Sequence, residues 1–306
     1  MALPSVRPGG TIALVSPASP LSDDKLETVT HILKGAGFQV RVMPHALDAD
    51  AHLAGTDADR AQDLTEAFLD PAIDGVLCTR GGYGCARLFP FLDLDRLAAT
   101  GKWFGGFSDI TTLHLALNRR GLPTWHAPMA LTLHYPRNYW VYESFRSALR
   151  GVPLIPEAAP LGEVLSPGDA EGTITGGCLC LVCDSLATPD SVDCAGKIVL
   201  IEDVDEAPHR IDAMLTHLRN AGQLQRAAAL LFGEMTRTDE KVDSTIGGKG
   251  WQEIVRERTI DLGIPVAINV PFGHCKNMLT IPWGVKAEWK EGRLKFPDQS
   301  TSSSTS

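Results

Sequence analysis

Lys102-Trp103-Phe104-Gly105-Gly106-Phe107-Ser108-Asp109-Ile110-Thr111-Thr112-Leu113-His114-Leu115-Ala116-Leu117 changes its apolar rhythm at one serine. Lys102–Gly105 reads as a short apolar strand, and Ile110–Leu117 carries apolar residues at helical spacing. A strand running through a tight turn into a helix is half of a βαβ unit, which predicts a parallel α/β sheet. The hydroxyl of Ser108 would then face out at the carboxyl edge of that sheet, with Gly106 allowing close backbone passage two residues earlier. The N–H of Asp109 would lie at a helix N-terminus, where partial positive charge collects. This suits a serine nucleophile with an adjacent oxyanion donor. Ser-Asp before an amphipathic run is equally the form of an ordinary helix N-cap, so the segment alone leaves both readings open.

Outward from this turn, strands are expected at Thr11–Ser16, Phe38–Met43 and Gly75–Thr79, with helices at Asp23–Gly35 and Asp57–Leu69 and a short one around Phe89-Pro90. Strands alternating with helices predict a doubly wound parallel sheet, in which ligands bind beyond the carboxyl ends of the strands. Arg80-Gly81-Gly82-Tyr83-Gly84 and Gly106–Asp109 both fall at such ends and are expected to face one crevice. Prolines and glycines then interrupt the pattern around a helix at Tyr142–Leu149. Beyond them come a glycine-rich turn at Gly172–Gly177, strands Lys197–Ile201, Ala228–Phe232 and Val266–Val270, helices Arg210–Asn220 and Gly250–Leu262, and an extended stretch Thr280–Phe296. The expected organisation is an N-terminal α/β nucleophile domain over 1–135, a linker over 136–168, a smaller β-rich α/β domain over 169–297, and a disordered serine- and threonine-rich tail over 298–306.

Composition sets the outer limits. The chain has 306 residues, 44% of them hydrophobic and 21% charged, which suits a globular protein of one large or two ordinary domains. A net charge of -9 argues against non-specific nucleic-acid binding, which wants a basic face. No apolar run reaches the roughly 18–20 residues that span a bilayer, so no membrane partner is expected. The proline- and glycine-broken start Met1–Gly10 is not a signal peptide, and a cytoplasmic protein is expected. Seven cysteines without a secretion signal point to reduced thiols. Cys178, Cys180, Cys183 and Cys194 lack paired C-x2-C spacing and read as buried small residues, so neither a metal nor a cofactor is expected.

Two further loops carry chemistry. Strand Lys197–Ile201 delivers Glu202-Asp203, and strand Val266–Val270 delivers Pro271-Phe272-Gly273-His274. Taken singly, the acids could be helix capping and the histidine a solvated loop residue. Together, Ser108, Glu202 and His274 each sit at the end of an apolar strand. His274 would serve as general base to Ser108, with Glu202 holding the imidazole's tautomer. The N–H groups of Asp109 and of the Gly81-Gly82 turn would hold the oxyanion, and Gly81 and Tyr83 would meet the substrate. Arg80–Gly84 as a phosphate cradle is the weaker reading, because the Walker lysine-serine pair and the dinucleotide spacing are missing. Glu202 is preferred over Glu206 as the acid, because it follows the strand directly. Glu206 is read as capping the next helix or lining the cleft. Arg80 has two open readings, a fork for a substrate carboxylate or a salt bridge.

Arg80-Gly81-Gly82-Tyr83-Gly84, Gly106-Phe107-Ser108-Asp109, Ile201-Glu202-Asp203 with Glu206-Ala207-Pro208-His209-Arg210-Ile211-Asp212-Ala213-Met214-Leu215, and Phe272-Gly273-His274 with Thr280-Ile281-Pro282-Trp283-Gly284 occur in this order. Together they resemble the LD-carboxypeptidases, the serine peptidase family that also holds the microcin C self-immunity peptidases. The resemblance runs from about Gly10 to Lys295 and implies a Ser-Glu-His triad on Ser108, Glu202 and His274. It also implies an active site between two domains, usually a homodimer, and removal of the terminal D-alanine from a murein tetrapeptide during cytoplasmic cell-wall recycling. The Arg80–Gly84 form and the Pro208–Leu215 stretch are closer to the murein-recycling branch. The chain departs from the family pattern at His209, where Tyr or Phe is usual, at Ala213, where arginine is common, and at Cys178, where Gly-Gly-Asn is typical. Two alternatives are carried forward: the same chemistry on an aminoacyl- or peptidyl-nucleotide amide, and a binding module that holds a small ligand without catalysis.

Overall fold

Parallel strands form where the apolar runs of the first 130 residues place them. The computed structural model describes residues 3–246 and 248–297, so the tail expected over 298–306 lies outside the described residues. Along the chain, β1 (Thr11–Val15), α1 (Asp23–Gly35), β2 (Gln39–Val42), α2 (Asp57–Leu69), β3 (Gly75–Cys78), α3 (Leu94–Ala98), β4 (Trp103–Gly106), α4 (Thr111–Arg119) and β5 (Thr124–His126) alternate. They lie in the order β2-β1-β3-β4-β5, every pairing parallel. Alternate residues of β1 serve opposite layers. Ile12 and Leu14 pack with α1, whereas Ala13 and Val15 pack with α2. The inner strands β1, β3 and β4 are covered on both faces, which explains their lack of polar alternation, whereas the edge strand β2 alternates and is largely exposed. The chain order reverses between β1 and β3, so a crevice opens at their carboxyl ends.

The second half adds α5 (Ala130–Leu133), α6 (Tyr139–Leu149), β6 (Glu163–Ser166), β7 (Ala170–Cys178), α7 (Leu179–Asp184), β8 (Lys197–Val204), α8 (Pro208–Asn220), β9 (Ala229–Thr236), α9 (Trp251–Thr259) and β10 (Val266–Ile268). The closing stretch forms β11 (Ile281–Trp283), β12 (Lys286–Lys290) and β13 (Arg293–Lys295). A seven-stranded sheet runs β13-β12-β7-β8-β9-β10-β6, with β7 to β10 parallel and the flanking strands antiparallel.

Two sequence expectations are corrected here. Gly172–Gly177 is not a turn but the body of β7. Its glycines serve close approach, because a Cβ on Gly176 would stand 1.9 Å from the Leu200 carbonyl oxygen and one on Gly177 would stand 2.4 Å from Thr111 Oγ1. β8 also continues past Ile201 to Val204, so Glu202 and Asp203 lie within the strand and not just beyond it.

Three features fasten the halves together. β11 leaves the second half and pairs antiparallel with β5, completing a six-stranded first sheet. Helix α6, inside the stretch read as a linker, puts Phe145, Ala148 and Leu149 into the core of the first sheet, and Trp140 and Val141 into that of the second. The amide of Cys178 at the end of β7 donates to Thr111 Oγ1, in the first turn of α4, at 3.0 Å. Among the described residues, no helix is long and apolar enough to cross a membrane.

Candidate active site

Ser108 follows β4 with a backbone φ of +65°, a left-handed conformation that L-residues other than glycine, asparagine and aspartate rarely adopt. That conformation turns the chain from strand into α4 within a few residues. It is the strained strand–turn–helix expected of a presented nucleophile, and an ordinary N-cap has extended backbone instead. Asp109 accepts the Cys85 amide at 2.8 Å through its carboxylate, tying the serine turn to the loop after β3. That loop is gripped from the other side by the fully buried Arg60 of α2, which donates to the Pro17 and Gly84 carbonyls and pairs with Asp57.

Ser108, His274 and Glu202 converge. Ser108 Oγ lies 3.1 Å from His274 Nε2, and His274 Nδ1 lies 2.6 Å from Glu202 Oε2. The same carboxylate oxygen also accepts the His274 main-chain N–H at 3.1 Å. Glu202 is wholly buried, while the His274 side chain keeps 16% of its exposure. A carboxylate only accepts hydrogen bonds, so Nδ1 carries the proton, and the Nε2 lone pair faces the serine hydroxyl. The Phe107 ring meets the imidazole edge-on at 4.9 Å and limits its rotation.

Burial alone would lower the His274 pKa, but the charge of Glu202 and its hydrogen bond outweigh it, with Asp203 and Asp205 adding. The net pKa therefore lies above the usual histidine value. An imidazole must be neutral to accept a proton. kcat/KM should thus rise with pH through an apparent pKa above 6.5 and then level off, which a pH–rate profile measures directly.

The loop that delivers His274 has little freedom. A Cβ built on Gly273 would fall 2.2 Å from Glu202 Cγ and 2.4 Å from its carboxyl carbon and Oε2, and its φ is +85°. Gly233 of the neighbouring β9 is also crowded, since its Cβ would stand 2.7 Å from the Phe272 carbonyl oxygen and 2.9 Å from Glu202 Cβ. Gly273→Ala should displace the histidine from the acid and lower kcat about a hundredfold, since misplacing a catalytic group by an ångström has that order of effect. Steady-state kinetics with circular dichroism as a folding control checks this.

Of the remaining expected residues, Gly81 is the one that meets the serine turn. A Cβ there would be 2.7 Å from Ser108 Cβ, 3.0 Å from its Oγ and 3.3 Å from the Asp109 amide nitrogen. Only glycine leaves the space above the hydroxyl and that N–H open to a carbonyl group. Gly82, at φ +112°, sits against Ser19 in the loop after β1. Tyr83 is 52% exposed at the rim, its ring 5.9 Å from that of His52. Arg80 donates to the Pro20 carbonyl at 3.0 Å and makes no ion pair among the described residues, so the salt-bridge reading finds no partner there. Glu206 stands 3.8 Å from Arg210, one turn into α8, and makes no side-chain cap bond to that helix. Arg60 and the tethering role of the Asp109 side chain escaped the sequence reading. An arginine on the apolar side of α2 was the one available signal.

The chain matches the family model for the LD-carboxypeptidase N-terminal domain over residues 12–127, and that for the LD-carboxypeptidase C-terminal domain over 171–289. It is 39% identical over 287 residues to the "putative carboxypeptidase" of Streptomyces coelicolor, covering 92% of this chain and 90% of the relative. It is 31% identical over 296 residues to the murein tetrapeptide carboxypeptidase of Pseudomonas aeruginosa, covering 94% and 95%. The crystal structure of muramoyltetrapeptide carboxypeptidase from Oxalobacter formigenes superposes with a TM-score of 0.80 at 28% identity, covering 93% of this chain and 97% of that one. The wild-type microcin C7 self immunity protein MccF shares the fold, with a TM-score of 0.82 at 22% identity over 98% and 99% of the two chains.

Proposed function

Because the chain belongs to the LD-carboxypeptidase family, we propose that it hydrolyses the bond joining the terminal D-alanine to the L-centre of a murein tetrapeptide, as a cytoplasmic step of cell-wall recycling. The observation that carries this reading is the unbroken hydrogen-bond chain Ser108–His274–Glu202, at 3.1 and 2.6 Å.

In the proposed reaction His274 Nε2 takes the hydroxyl proton as Ser108 Oγ attacks the carbonyl carbon. Negative charge on the carbonyl oxygen is met by the N–H groups of Asp109 and Gly82. Glu202 stabilises the imidazolium, which returns its proton to the departing amine of D-alanine. The acyl-serine ester is then hydrolysed by water, with His274 again acting as base. Gly81 and Tyr83 border the peptide's path.

The test supplies murein tetrapeptide to the purified protein and measures free D-alanine. Stoichiometric release of one D-alanine, with the tripeptide as co-product, is expected. An intact tetrapeptide beside a cleaved aminoacyl-sulfamoyl nucleoside would transfer the same chemistry to the nucleotide-amide alternative. No cleavage of either would return the crevice to a binding role.

A further inference from the structure

The parallel pairing of β7 with β8 sets Cys178 against Glu202 in register, so that Asp203 arrives beside the start of α7. There Cys178 Sγ lies 3.4 Å from Cys180 Sγ, and Asp203 Oδ1 lies 3.5 Å from the first sulfur and 4.0 Å from the second. The carboxylate is aimed by two main-chain donors. Cys180 N–H donates to Oδ2 at 2.9 Å and Val204 N–H to Oδ1 at 2.7 Å.

We propose that Cys178, Cys180 and Asp203 form a binding site for one borderline-soft divalent cation of the zinc type, beside the strand that carries Glu202. A tetrahedral zinc ion with bonds of about 2.3 Å to sulfur and about 2.0 Å to carboxylate oxygen sets its ligands about 3.8 Å apart for two sulfurs and about 3.5 Å for sulfur and oxygen. The three separations in this cluster depart from those values by no more than about 0.5 Å, so rotamer adjustment suffices and the backbone can stay in place. Two thiolates and one carboxylate suit zinc over magnesium or calcium, which take oxygen ligands. The fourth position is left to water.

A disulfide between the same thiols is the competing outcome, and the carboxylate argues against it. Oxidation proceeds through a thiolate, which an adjacent anion opposes, whereas a cation is attracted by the same anion. Cys178 and Asp203 are buried while Cys180 is partly exposed, which gives the ion a way in. The spacing of the cysteines alone favoured buried small residues over a metal, because the third ligand comes from another strand.

The test titrates the reduced full-length protein with cobalt(II). The expected result is a sulfur-to-cobalt charge-transfer band that saturates at one equivalent and is displaced by zinc. Cys178→Ser and Cys180→Ser should each abolish the band, and Asp203→Asn should weaken binding at least tenfold. Independently of any variant, one equivalent of zinc should slow iodoacetamide labelling of Cys180 at least tenfold and leave Cys275 unchanged, as read by peptide mass spectrometry. Absence of the band would overturn the site, as would its survival in both serine variants, unaltered labelling, or a Cys178–Cys180 disulfide that forms with zinc present.

Discussion

Ser108→Ala should lower kcat for D-alanine release about a million-fold, with His274→Ala causing a loss of the same order. The Ser108→Ala/His274→Ala pair should be no worse than either single change. A nucleophile and its base act as one unit, so losing either removes the whole covalent route. What remains should be the modest acceleration from substrate binding and the N–H groups over the serine turn. The alanine at 108 should leave the fold intact, because among the described residues the serine hydroxyl's one partner is His274 Nε2, on a partly exposed surface. Relief of the left-handed backbone is not involved, since alanine is no better suited than serine to φ +65°. Retained release of D-alanine in Ser108→Ala would remove the serine from the chemistry.

The second large effect belongs to Glu202. Glu202→Gln keeps the size of the side chain but removes the charge that raises the His274 pKa. It also offers the imidazole a neutral amide, which can face it with either its oxygen or its NH2. The tautomer is then no longer fixed, and the imidazolium formed during attack has lost its counter-charge. A fall in kcat of about ten-thousand-fold is expected. The residual activity should have its apparent pKa moved to lower pH, because burial, which lowers the pKa, is then opposed by less charge. A full-activity Glu202→Gln protein with an unmoved pH profile would show that His274 works without this acid. The same measurement on a Glu206 variant, half-buried beside Arg210, should show no comparable shift.

The parts of the fold that local pattern controls were readable. Apolar runs closed by Asp, Gly or Pro gave β1, α1, α2 and β3 to within a residue or two, because a doubly covered parallel sheet requires such runs. That Ser108 and His274 meet was readable for a related reason: the loops at strand ends of such sheets are where side chains converge. Gly172–Gly177 misled because glycine clusters usually mark turns, whereas here close packing against Leu200 and Thr111 excludes any side chain. The attachment of β11 to the first sheet could not be read locally, since three residues carry no label for the sheet they join. The same holds for His126, which stacks on Trp283 at 4.7 Å, its charge suppressed by burial well below the usual histidine value. These contacts bring Ser108 and His274, 166 positions apart, within reach of one another.

The most direct measurement treats the protein with a serine-directed phosphonate and weighs it intact. A single adduct is predicted, mapped to Ser108, absent from Ser108→Ala and formed far more slowly by His274→Ala. An unmodified Ser108 in a preparation that still releases D-alanine, or an adduct on another residue, would contradict the account.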